Sequence, residues 1–312
     1  MKVLQFAAYG GPEVLHIAER PRPAPRPADV LVRVHAATVA AGDCKTRAGL
    51  LQNHFQIGFP KIPGRYGSGT IVALGAEDAA HRHRIGDDVV FATLHTDSGS
   101  AAEYVCVGGD KIALKPAHLS HVETAAIMQG AVAALCCIVE AAQVARNENI
   151  LIHGAAGSVG TACVELARHL RLRITATCRA IDREYVRSLG ADHVIAFDQD
   201  DFSETVRDQD VVVDLIGGDV HRRSYEAIKR GGRLIYLNAA PIENRGSLFG
   251  VHVRNAMVGN GGPLLDAVCR LAEQGVFAAR VGAILPLEDG AKAHSLIESG
   301  AIKGGRIVLQ LS

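Results

Sequence analysis

Residues 149–179, NILIHGAAGSVGTACVELARHLRLRITATCR, constrain the fold more than any other stretch of the chain. Residues 150–153 form an apolar run of strand length, and residues 154–160 are a turn of small residues. Residues 161–170 then place Ala162, Leu166 and Leu170 on one helical face, and residues 174–177 begin a second strand. Strand, tight turn, helix and second strand make a βαβ unit. The turn, Ala155-Ala-Gly157-Ser-Val-Gly160, is the dinucleotide fingerprint with alanine at the first glycine position and a glycine, Gly154, added just before it. Without Cβ atoms at Gly157 and Gly160 the backbone can approach a pyrophosphate and the helix can pack on the strand, while N–H groups at the helix start face the anion. A tight βα turn in an unrelated α/β protein would account for the turn but not for its surroundings.

A chain of 312 residues predicts two domains, each able to bury its own core. Lysine plus arginine equals aspartate plus glutamate, at 33 each, which argues against a nucleic-acid surface or a polybasic membrane patch. The N-terminal MKVLQFAAYGG lacks the apolar core and cleavage site of a signal peptide. The most apolar helical stretch, 125–145, is interrupted by Gln129, Gly130 and Glu140, short of the ~18 uninterrupted apolar residues of a membrane span. The expectation is a soluble, cytoplasmic enzyme. Seven cysteines (44, 106, 136, 137, 163, 178 and 269) without CxxC spacing suit free thiols better than disulfides or a structural zinc.

In chain order, strands are expected at 3–7, 15–19, 30–35, 71–74, 88–92, 102–107 and 111–114, punctuated by glycines, which predicts a small β domain. From about Ser120 helix and strand alternate: helix 122–144, the βαβ unit, helix 183–189, strands 193–196 and 211–215, helix 222–229 and strand 233–237. Such alternation means a parallel sheet covered by helices on both faces. A helix at 263–274 leads through 287–299 to a last run, 306–311, read as a strand returning to the first domain.

So ordered, the chain resembles the medium-chain dehydrogenase/reductase superfamily and, within it, the zinc-independent quinone oxidoreductase (zeta-crystallin-like) branch. The resemblance rests on Tyr9-Gly-Gly-Pro-Glu-Val-Leu15, Pro63-Gly-Arg-Tyr-Gly-Ser-Gly69, Gly86-Asp87, Ala102-Glu-Tyr-Val105, His153-Gly-Ala-Ala-Gly-Ser-Val-Gly160, Leu189-Gly-Ala-Asp192 and Gly231-Gly-Arg233. It implies an α/β protein in two parts. The first is an N-terminal GroES-like β-barrel catalytic domain, 1–121, completed by 276–312. The second is a Rossmann domain with a doubly wound parallel sheet, 122–275. It also implies an NADPH cofactor in the cleft between them, a quinone or enone as small-molecule substrate, and a homodimer joined through Rossmann edge strands, here near 252–258.

Zinc-dependent relatives carry a cysteine before the Asp43 position and a histidine-glutamate pair where this chain has Arg65-Tyr66. Here the first slot is Ala40, and none of the three residues supplies a ligand to a catalytic zinc, which needs about three. His81-Arg-His-Arg84, without Cys or carboxylate partners at ligand spacing, reads as a solvated loop. No serine nucleophile motif is present, since Gly67-Ser-Gly69 is a turn in a glycine cluster.

Departures from the family pattern shape the expected site. The family's Asn-Pro-x-Asp appears as Ala40-Ala-Gly-Asp43, its active-site tyrosines as Lys45 and Leu51, and its threonine over the cofactor as Val132. Tyr66 remains as a candidate hydrogen-bond donor to the acceptor oxygen and Lys45 as a candidate cationic donor, beside the readings of a packed tyrosine and a solvated lysine. Asp43 and Arg47 read as an ion pair fixing the loop. The resemblance implies cofactor contacts from Ala40, Val132, Gly154, Ala155, Ala156, Gly157, Ser158, Val159, Gly160, Thr177, Cys178, Arg179, Arg183, Ile216, Asn238 and Ala239. The second strand ends Ala176-Thr-Cys-Arg179 without an acid, so Arg179 and Arg183 suit a 2′-phosphate, while Asp182 is expected to cap the following helix. The polar groups lost at 40, 45, 51 and 132 keep open the alternative of an NADPH-binding sensor or structural protein with little turnover.

Overall fold

The computed structural model describes residues 1–76, 83–237, 240–302 and 305–311. It divides into two compact units, Met1–Met128 with Asn260–Ser312, and Gln129–Gly259.

In the first unit β1 (Lys2–Gln5) pairs antiparallel with β2 (His16–Glu19). The long strand β3 (Asp29–Val39) organises the rest. It pairs antiparallel with β4 (Tyr66–Leu74), which passes the sheet on to β5 (Asp88–Ala92), while β6 (Tyr104–Gly108) pairs with the first half of β3 and β7 (Ile112–Leu114) with β5. Register shifts at Leu31/Val32 and Val34/Ala36 bend β3, as bulges do, so that its two halves serve different neighbours. At the bend a Cβ on Gly69 would stand 2.0 Å from the Arg33 carbonyl oxygen, so the glycine cluster is a requirement of the sheet. Val30, Val32, Val34, Ile71, Val89 and Phe91 fill the interior.

Helix His121–Leu135 follows and runs into one π-helical stretch, Cys136–Ala141. By length and composition the combined helix is apolar enough to cross a membrane, contrary to the reading from its polar interruptions, but 78% of its apolar window is buried within the protein, as in a core helix.

The second unit is one parallel sheet made of β8 (Asn149–His153), β9 (Arg173–Cys178), β10 (His193–Ala196), β11 (Gln209–Asp214), β12 (Ile228–Tyr236) and β13 (His252–Asn255). Its spatial order, β10-β9-β8-β11-β12-β13, is that of the doubly wound dinucleotide fold, with the order reversing between β8 and β11. The predicted βαβ unit is β8, helix Ser158–His169 and β9. The helix predicted at 222–229 instead spans Gly218–Ser224. Gly217 and Gly218, at φ +87° and +58°, start it early, and the sheet claims Ile228, which pairs with Gln209. The edge strand β13 is shorter than the predicted 252–258, its register with β12 ending at Asn255.

The chain then returns to the first unit earlier than the sequence predicts. Helix Gly262–Glu273 packs on β7, with a Cβ at Gly262 only 2.9 Å from the Ile112 carbonyl oxygen. Ala125 and Ala126 likewise pack with Ala36 and Val308. Residues 122–128 and 260–275 therefore belong with the barrel, not with the parallel sheet. A strand not predicted, β14 (Val281–Pro286), runs parallel to β15 (Arg306–Gln310). Helix Gly290–Glu298 lies between them in sequence, and β15 pairs antiparallel with β3, the predicted return.

Candidate functional site

The fingerprint turn leaves β8 at Gly154, whose φ of +75° is the left-handed conformation that glycine adopts without strain. A Cβ at Gly160 would sit 2.2 Å from the Gly154 carbonyl oxygen and 2.7 Å from Ala155 Cα, so no side chain fits there. Gly157 is less confined, its nearest contact being the Gly154 oxygen at 3.3 Å. Gly157 N–H donates to Gly154 O at 3.0 Å and Ala155 N–H to Thr177 O at 2.9 Å. Gly154 N–H points at Thr177 Oγ1, 3.4 Å away. Three of the turn's amides are thus used inside the protein. Gly154, Ala155 and Gly157 act by shape, and the donors presented to an anion are those of the first helical turn, Ser158, Val159 and Gly160, which have no intrahelical acceptor.

Across the point where the strand order reverses, the end of β11 is braced from below. Asp214 is completely buried, and its Oδ1 accepts the N–H groups of Ile216 and Gly217, each at 2.9 Å. His221 Nδ1 lies 2.8 Å from Oδ2. Burial pushes this carboxyl up, but the His221 bond and the two amides outweigh it and hold it below the usual carboxylate range. Just past the carboxyl ends of β9, β10 and β11, Ile181, Phe197 and Ile216 are 76%, 56% and 49% exposed, offering an apolar rim where such sheets bind their ligands. Ile181 and Phe197 escape the sequence reading. Their signal is a large apolar residue one to three positions after a buried strand has ended.

Beyond β9 the arginines are not free. Arg179 reaches Asp182 Oδ2 through Nε and NH2, both at 2.9 Å, and Arg183 NH2 reaches Asp200 Oδ2 at 3.1 Å. Asp182 stands at the N-cap of helix Arg183–Ser188 without making the predicted cap bond, because Arg179 claims its carboxylate. Arg183 Nε, buried and without a protein partner, is a donor still to be used. Thr177 and Cys178 are buried, and Thr177 turns its hydroxyl inward to His153 and Gly154. Asn238 and Ala239 lie outside the described residues, as do His81 and Arg82 of the histidine-rich loop.

In the first unit Ala40 is buried, and its N–H donates to Asp43 Oδ2 at 2.9 Å, while Asp43 Oδ1 accepts Gly64 N–H at 3.2 Å. Burial pushes the Asp43 carboxyl up to about 6, only partly offset by these amides and by Lys61 and Arg65. The predicted Asp43–Arg47 pair is not formed. Arg47, 1% exposed, faces helix Gly290–Glu298 instead and binds Glu298, His294 Nδ1 at 3.3 Å and the Gly10 carbonyl at 3.1 Å. Tyr66 is fully buried, with the Arg65 guanidinium 5.5 Å from its ring centre, whereas Lys45 is exposed and Val132 is sealed in its helix. Lys61 and His95, absent from the sequence reading, line a small cavity with Asp43 and Arg65. Burial draws the Lys61 amine down to about 8 and the His95 imidazole down to about 4. Among the described residues, no three His, Cys, Asp or Glu side chains are grouped so as to hold a metal ion.

The family described as an alcohol dehydrogenase GroES-like domain matches residues 26–148, and the one described as a zinc-binding dehydrogenase matches residues 189–309. Over 203 residues the chain is 32% identical to a chloroplastic quinone-oxidoreductase homolog of Spinacia oleracea, a match covering 63% of this chain and 61% of that protein. It is 27% identical to a quinone oxidoreductase of Sus scrofa over 99% of this chain and 98% of the other. A solved quinone oxidoreductase structure from Coxiella burnetii, 27% identical, superposes with a TM-score of 0.88 over 100% of this chain and 99% of that one.

Proposed function

Because the chain belongs to the medium-chain dehydrogenase/reductase superfamily, in its quinone oxidoreductase branch, we propose that it is an NADPH-dependent, zinc-independent reductase of quinones or α,β-unsaturated carbonyl compounds. The observation that carries this reading is the turn at 154–160, where Gly160 admits no Cβ and the three amides of the first helical turn lack an intrahelical acceptor at the point of strand reversal. When bound, the nicotinamide supplies the hydride. The chain's own task is to hold and orient the cofactor and to keep water from the site. Ser158, Val159 and Gly160 would bind the pyrophosphate, and Ile181, Phe197 and Ile216 would offer apolar surface to the nucleotide's rings. Arg179 and Arg183 would take the 2′-phosphate by exchanging it for Asp182 and Asp200. Trading one charged partner for another gains less than filling an empty site, so the preference for NADPH over NADH should be roughly three- to tenfold.

Zinc independence is supported by Ala40, Arg65 and Tyr66 in the family's ligand positions. Tyr66, sealed, and Lys45, in solvent, are each proposed to contribute at most about one hydrogen bond to turnover. All seven cysteines are unpaired, which fits the proposed cytoplasmic location, and β13, last in the sheet order, is the proposed dimer edge. The absence of polar side chains at Ala40, Leu51 and Val132 supports a second reading, a dinucleotide-binding protein with little turnover. Stopped-flow mixing with NADPH and a panel of ortho-quinones, para-quinones and enones separates the two. Oxidation of NADPH by at least one acceptor is expected, and oxidation by none would favour the binding protein.

A further inference from the structure

Beneath the fingerprint turn lies a buried chain of hydrogen bonds whose proton positions the geometry fixes. Ser224 Oγ is 2.7 Å from the Val220 carbonyl oxygen, which can only accept, so the single hydroxyl proton of Ser224 is spent there. The other contact of Ser224 Oγ, to His153 Nε2 at 3.1 Å, then requires the imidazole to donate. Burial draws His153 down to about 4, against the opposing charge of Asp214 and with Arg223 and His221 acting in the same direction as burial, so the ring is neutral near pH 7. A neutral ring with its proton on Nε2 has a bare Nδ1, and Thr177 Oγ1, 3.1 Å away, must donate to it. That leaves the lone pairs of Thr177 Oγ1 to the Gly154 N–H. The same residue's carbonyl takes the Ala155 N–H, so Thr177 holds the first two amides of the turn.

We propose that His153 is a positioning residue for the dinucleotide: as its Nε2–H tautomer it orients the Thr177 hydroxyl to accept the Gly154 N–H, and so fixes the turn that presents the helix amides to the pyrophosphate. The inference rests on the dinucleotide-binding reading above and extends it to residues that touch no ligand. It reassigns Thr177 from a cofactor contact to a clamp on the turn. It also gives a reason for a histidine in the core, where ring packing on Phe202, at 4.5 Å between centres, would be served as well by an apolar side chain. The relay ties together the end of β8, the end of β9 and helix Gly218–Ser224, three elements that converge where the strand order reverses.

The test is Thr177→Val, which keeps the shape and removes the hydroxyl, with Thr177→Ser as the conservative variant. NADPH dissociation constants are read by fluorescence. Thr177→Val should weaken NADPH binding roughly 3- to 10-fold, the range of one lost hydrogen bond, and Thr177→Ser should recover wild-type affinity within about twofold. A folded Thr177→Val variant that binds NADPH as the wild type does would overturn the proposal. If that variant does not fold, the imidazole 15N shifts of the wild-type protein decide: a neutral His153 protonated on Nε2 at pH 7 is expected, and a proton on Nδ1 overturns the relay. A wild-type protein that binds neither NADPH nor NADH would remove the dinucleotide reading and this role with it, whatever the tautomer.

Discussion

Two buried aspartates, one in each unit, end in opposite states. Asp214 in the cofactor sheet is held below the usual carboxylate range, while Asp43 in the barrel is raised to about 6. Both are buried and both accept two backbone amides. The difference is His221, a direct imidazole partner at 2.8 Å, whereas Lys61 and Arg65 act on Asp43 only as nearby charges. Burial therefore does not set the charge; the number and reach of donors do. The cofactor sheet carries a fixed anion bracing the loop after β11. The barrel carries an acid close to its own titration, beside a lysine whose amine is drawn down to about 8.

Removing each charge in turn tests this contrast at its largest. Asp214→Asn takes away the carboxylate that His221 and two backbone amides share in a sealed site and should cost about 2–3 kcal/mol of stability, the upper part of the range for a lost hydrogen bond to a charged group. Asp43→Asn replaces a carboxyl that burial already raises to about 6 with a neutral amide whose oxygen can still accept an N–H, and should cost about 1–2 kcal/mol. Urea denaturation of both variants reads the difference, and equal losses would dissolve the comparison.

Acid sharpens it from the other side. His153 and His294 are drawn down to about 4 and about 3, so between those values and the unfolded 6.5 the unfolded chain binds more protons. Their contribution is complete above about pH 6.5 and is lost as pH falls toward 4. Asp43 works in the opposite direction, favouring the folded state as pH falls from about 6 toward 3.8. His95 and His121, each drawn down to about 4, act in the same direction, so four histidines outweigh the one raised carboxyl and stability falls on net by several kcal/mol by pH 4. Thermal melts from pH 7.5 to 4 should show a falling Tm; a flat or rising Tm would mean the histidines are not held neutral.

In the turn, Gly160→Ala should weaken NADPH binding by about 100-fold or more, because its Cβ meets backbone at 2.2 Å, whereas Gly157→Ala, at 3.3 Å from its nearest neighbour, should stay within about fivefold. Similar affinities for the two variants would show that close approach does not govern the site. In the barrel, Tyr66→Phe should lower the rate by about tenfold at most, one hydrogen bond's worth, and a loss beyond ~1,000-fold in folded protein would make Tyr66 an essential acid.

How much was legible in the sequence follows the same division. The turn could be read because its constraint is local: small residues from Gly154 to Gly160 sit between an apolar strand and an amphipathic helix, with a second strand at the right distance beyond. Non-local partners could not be read. Arg47 lies one helical turn from Asp43 yet pairs with Glu298, and Arg179 takes the carboxylate that Asp182 was expected to give to a helix cap. Helix Gly262–Glu273 has the same one-sided apolar pattern as a Rossmann helix, and only its contact with β7 assigns it to the barrel. β14 is concealed by Gly282 and by alternating, half-exposed residues. Lys61 and His95 look like ordinary surface residues until the fold brings them together around a small cavity with Asp43.

In the proposed function the turn after β8 binds a nicotinamide dinucleotide that carries a 2′-phosphate. Calorimetric titration of the wild-type protein with NADPH and with NADH at one fixed ionic strength tests it most directly. Both are expected to bind, NADPH roughly three- to tenfold more tightly, and Arg179→Ala combined with Arg183→Ala should bring the two affinities together. Binding of neither cofactor, or an unchanged preference in the double variant, would contradict it.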